Sequence, residues 1–173
     1  MKRLIPIALA SVVAGCAGRG DRSSGASGKT DSAFAALQTR GAEAMGVDQY
    51  TSSHVFEPLA DGGRIVLQRD VPDSAGVVVI RAHLRDIAQR FAAGDFSIPG
   101  MVHAQAVPGT AVMAARRAHI RYIADTLPLG GEVRLVTTDS AALAAIHEFL
   151  AFQRMDHRAA MHEHADSAKP VRR

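Results

Sequence analysis

The chain has 173 residues, with 20 Lys and Arg against 17 Asp and Glu, and 47% of its residues are hydrophobic. That length holds one modest core, and a net charge of +3 spread along the chain leaves no footprint for nucleic acid. The one cysteine excludes an intrachain disulfide and a cysteine-built metal centre.

Met1-Lys2-Arg3 makes a positive start, and Leu4 to Val13 is an apolar run of about ten residues, too short to span a bilayer. Val13-Ala14-Gly15-Cys16 follows, and small residues ahead of a cysteine resemble the lipobox of bacterial lipoproteins. The resemblance implies removal of a signal peptide over residues 1–15, acylation of Cys16 and anchoring to a membrane, where two or more acyl chains hold stably. Ala17 stands where an aspartate would signal inner-membrane retention, so the outer membrane, facing the periplasm, is expected in a Gram-negative host. Cleavage takes Lys2 and Arg3 away and leaves 18 basic against 17 acidic residues, a net +1.

After the lipidated cysteine, residues 16–32 read as a flexible tether of Gly, Ser and small residues. The Arg19-Gly20-Asp21 tripeptide within it is read as coincidence. A single α+β domain is expected over residues 33–158, opening with a short helix over 33–45 that Gly41 weakens.

Residues 53–59 and 64–69 alternate as strands do, and Asp61-Gly62-Gly63 between them is a hairpin turn signal. A helix follows over residues 74–93, with Val77, Ile80, Leu84, Ile87 and Phe91 on one face and Gly94 as its stop. Residues 119–126 and 132–138 repeat the strand pair around Gly130-Gly131, and Asp139 or Ser140 can cap a helix running to Met155. The glycine pairs stand 68 positions apart, and Ile80-Arg81-Ala82-His83-Leu84 stands 66 from Ile146-His147-Glu148-Phe149-Leu150. A ββα unit therefore occurs twice, and the expected fold is an antiparallel sheet with two helices on one face. Residues 95–117 join the units, with Pro99, Pro108-Gly109 and one or two helical turns over 110–116; a connection this long is often functional. Residues 159–173 read as a disordered tail containing His162 and His164.

The chain has no phosphate-binding loop, no dinucleotide fingerprint and no nucleophile elbow. His147-Glu148 begins a zinc-protease motif, but Ala151 stands where its second histidine belongs. No catalytic set or organic cofactor is legible. The distinctive residues are histidines 54, 83, 103, 119, 147, 157, 162 and 164, with methionines 45, 101, 113, 155 and 161. Imidazole suits copper and zinc, and thioether adds a preference for Cu(I). His54 shares a strand face with Phe56 and points toward the core, whereas His147 and His157 sit roughly 15 Å apart along one helix and cannot chelate the same ion. One histidine from a strand, one from the connection and one from a helix gives His54, His103 and His147 as the expected metal ligands. His83 and His157 are alternates, and His162 with His164 makes a weak tail site.

From Met45 to His157 the chain resembles a family of small exported bacterial proteins of unknown function. The segments that carry the resemblance include residues 45–56, Gly62-Gly63-Arg64-Ile65, Gly94-Asp95-Phe96, Val107-Pro108-Gly109 and residues 145–157. Some members are labelled aspartate carbamoyltransferases. The chain lacks that enzyme's Ser-Thr-Arg-Thr phosphate loop and the second domain that closes its substrate cleft, so the activity is not expected here. The leading expectation is a membrane-anchored lipoprotein that binds copper or another soft ion. The alternatives are a non-catalytic module that holds an envelope protein partner, and an enzyme using His103 as a base with Asp95 or Glu148.

Overall fold

The computed structural model describes residues 23–46 and 48–159. Helix α1 (Ser23–Met45) leads through a 3-10 turn (Gln49–Thr51) into β1 (Ser52–Leu59), β2 (Gly62–Arg69) and α2 (Ser74–Ala93). Two short helices follow, α3 (Ser97–His103) and α4 (Thr110–Ala115), and then β3 (Ile120–Leu127), β4 (Gly130–Thr137) and α5 (Ser140–Asp156). The strands form one antiparallel sheet in the order β1-β2-β4-β3, so the two hairpins meet along their second strands.

The sequence periodicities account for these elements. Phe56 pairs with Ile65, Ile65 with Val133 and Val133 with Ala124, which puts one apolar row across all four strands on the same face. Ile80, Leu84, Ile87 and Phe91 of α2 and Ile146, Phe149 and Leu150 of α5 are buried against that face in one core. Asp73 caps α2 by accepting the Gly76 amide, and Asp139 caps α5 by accepting the Ala142 amide. Gly94 ends α2 at φ 83°, the left-handed conformation a helix stop requires.

The helices are seated crosswise. α2 lies over β3 and β4, the other unit's hairpin, while α5 lies over β1 and β2. The glycine pairs are part of this seating. A Cβ on Gly63 would stand 2.2 Å from Leu150 Cδ1, and one on Gly131 would stand 3.1 Å from Leu84 Cδ1. Each hairpin thus leaves a hole that the other unit's helix fills with the equivalent leucine. The backbone repeats the exchange: the Thr137 amide donates to Asp61 O at 2.9 Å and the Arg69 amide to Leu129 O at 2.8 Å.

Two segments differ from expectation. α1 takes in residues 23–32, which the sequence assigns to a tether. Leu37 and Met45 of α1 are buried, and once such a segment is docked, each further residue adds a hydrogen bond at low cost. Gly41 is a packing requirement here, since its Cβ would stand 1.5 Å from the Gln49 side-chain nitrogen. In the connection, α3 is unforeseen and brings His103 into the molecule. The lipobox, the rest of the tether and the tail histidines lie outside the described residues.

Candidate functional site

Four of the histidines converge. His54 on β1, His83 on α2, His103 at the end of α3 and His157 just past α5 line one cavity of about 80 Å³. Its remaining wall is apolar apart from Gln49 and Gln153, and α1 closes one side with Gly41, Ala44 and Met45. The rings lie close together. His54 stacks on His157 with centroids 5.1 Å apart and planes at 21°, and His103 meets His157 edge to face at 5.0 Å. Phe56 completes the aromatic wall, 5.9 Å from His54 and 5.4 Å from His157.

Burial sets the charge of this cluster. It pushes His54 down to about 4, with the nearby His83 adding to the effect and Asp70 opposing it. Burial likewise takes His157 down to about 3, assisted by His54 and His103. His83 is lowered as well, by burial, against a smaller opposing pull from Asp86. His54 and His157 are therefore uncharged at neutral pH, the form in which imidazole binds metals.

His103 is held differently. Its Nδ1–H donates to the Asp156 carboxylate, and its Nε2 lies 2.9 Å from Gln153 Oε1, which can only accept. The Asp95 and Glu148 partners considered from sequence do not apply: Asp95 pairs with Arg90 and receives the Ser97 amide, and Asp156 takes the place beside His103.

His147 stands apart from the cavity. Its Nε2 lies 2.9 Å from Leu59 O and 3.0 Å from Gly62 O, so its ring clamps the β1–β2 turn. The repeat explains why. Arg81 occupies the equivalent position on α2 and donates from Nε to Gly130 O at 2.8 Å and from Nη2 to Leu127 O at 2.6 Å. The carbonyls held by Arg81 are the repeat counterparts of those held by His147. The 66-residue spacing contained this signal, since a position filled by arginine in one unit and histidine in the other serves hydrogen bonding to the turn.

The same spacing isolates the unusual residues. His157 is equivalent to Phe91, and His54 to Tyr122. Phe91 and Tyr122 pack edge to face at 5.8 Å where α2 lies over β3, and Phe91 also reaches the cavity wall. Gln153 likewise corresponds to Ile87. One half fills this place with ordinary aromatic and aliphatic side chains, while the other fills it with imidazoles and an amide.

No protein-family model, curated protein or solved structure matches the chain. As the side chains stand, no three His, Cys, Asp or Glu residues among those described are disposed around a common point. The stacked His54 and His157 rings hold their lone pairs in nearly parallel planes, so a shared ion requires rotation of at least one ring.

Proposed function

We propose that the protein is an exported lipoprotein, anchored through Cys16, whose domain binds a soft or borderline metal ion, copper before zinc, in the histidine cavity. His54 and His157 are the first ligands in this reading. His103 is the third, its Nε2 exchanging Gln153 for the ion, and His83 is the fourth. The observation that carries the reading is the replacement of an aromatic pair by half-buried, uncharged imidazoles in one unit of a duplicated fold. Each uncharged imidazole offers a nitrogen lone pair to a metal ion, which the Phe91 and Tyr122 pair at the equivalent place does not. Two further features support it. A carboxylate on Nδ1 is the usual partner of a metal-bound histidine, fixing its tautomer and orientation, and Asp156 occupies that place beside His103. Met45, buried in the cavity wall, offers a thioether, which favours Cu(I).

The test is a variant that installs the other half's side chains, His54→Tyr with His157→Phe. It should keep the circular dichroism spectrum and lose at least about 100-fold in affinity, as loss of ligands from an ordered site implies. Calorimetric titration with Cu(II) and Zn(II), and competition titration with Cu(I), read this out. His119→Ala, at an exposed position, should leave binding unchanged. A double variant that binds like the parent removes the cavity from consideration. The anchoring half of the proposal has its own check: Cys16→Ala should abolish acyl labelling and release the protein from membranes, and persistence of label would refute the lipobox.

A further inference from the structure

We infer that the cavity also takes a small uncharged organic molecule, an unsaturated ring of about five atoms carrying one N–H or O–H donor, with Gln49 as its recognition residue. Gln49 lines the cavity between α1 and β1 and is only 5% exposed. Its side-chain nitrogen is pressed against Gly41, and its Oε1 is buried without a hydrogen-bond partner. Buried amide oxygens are rarely left unpaired, because each forfeits its water without replacement. An occupant with a donor would satisfy it.

The rest of the wall states what that occupant must be. Ile65, Leu67, Leu84 and Phe91 admit no charge, and His54 and Phe56 present a flat aromatic surface suited to a ring. A volume of about 80 Å³ is roughly half that of the ~150 Å³ engineered cavity that binds benzene, which limits the guest to about a five-membered ring. His54 and His157 also line a surface groove with Gln49, so the stacked pair forms the partition between cavity and solvent and is the natural way in. This inference requires no ion and is tested in metal-free protein, so its failure and that of the metal reading are separate results.

Pyrrole and furan are nearly the same size and shape, and only pyrrole has an N–H. Both are titrated into the full-length protein in the presence of a chelator, and binding is followed by chemical-shift changes of the ring protons of Phe56 and His54. Pyrrole should bind about tenfold more tightly than furan, the worth of one buried hydrogen bond. Gln49→Met should bring the two affinities together, and Ala44→Leu, which fills the cavity from α1, should abolish both. Equal or tighter binding of furan to the parent protein overturns the inference, as does the absence of shifts at Phe56 and His54. The comparison in the parent protein decides the matter even if a variant does not fold.

Discussion

Charging His157 would place a cation between two other imidazoles and a phenyl ring, and the molecule resists this down to about pH 3. His54 resists down to about 4. In the unfolded chain both take up a proton near ~6.5, so between that value and the folded values the unfolded state binds more protons. Stability therefore rises with pH across this window, is fully present above ~6.5, and is lost as pH falls toward 4, by up to about 1.4 kcal/mol per unit for each residue. Urea unfolding of parent and His54→Tyr/His157→Phe proteins should show the difference in stability between them widening as pH drops from 7 to 5. Parallel curves would mean that the two rings are not held uncharged. The same two residues illustrate what the sequence made legible. His54 was readable as core-facing because Phe56 lies two positions on. His147 was not separable from a ligand until its ring was seen on Leu59 O and Gly62 O. Asp156 escaped notice because nothing in its spacing from His103 announces that α3 and α5 end side by side.

At the level of elements, strands and the long helices follow from period, turn and cap signals, which act locally and are written in neighbouring residues. α3 and the docking of α1 do not, because they rest on contacts distant in sequence, such as the Arg40 Nε–H donating to Val102 O at 2.7 Å. The glycine pairs show the same limit. Gly62-Gly63 reads as a turn signal, yet Gly63 also makes room for Leu150 of the last helix. Gly63→Ala should cost about 1–3 kcal/mol through overpacking. Leu150→Val removes the clashing atom, so the double variant should recover part of that cost, with a coupling of at least about 0.5 kcal/mol in a double-mutant cycle. Strict additivity would show that the hairpin glycine and the distant leucine are not in contact.

Across the whole molecule, the duplication was visible in sequence but the crosswise seating was not. Spacing shows that a hairpin is followed by a helix, and it is silent on which hairpin that helix covers. The seating means that each unit's sheet face is completed by the other unit's helix, so neither unit has a closed core of its own. Stability then belongs to the pair, and α1 and the connection contribute Met45, Val107 and Met113 to the shared core.

Two units that exchange helices are arranged as the partners of a symmetric dimer would be, and joining them in one chain lifts a restriction that a dimer obeys. Identical partners must carry identical side chains at both ends of the sheet, so a half-buried histidine pair at one end would be repeated at the other, with its desolvation incurred twice. Here the end built from Phe91 and Tyr122 can be given over to holding the molecule together. The end built from His54 and His157 is then free to be less stable than packing alone would allow, because its counterpart does not have to change with it.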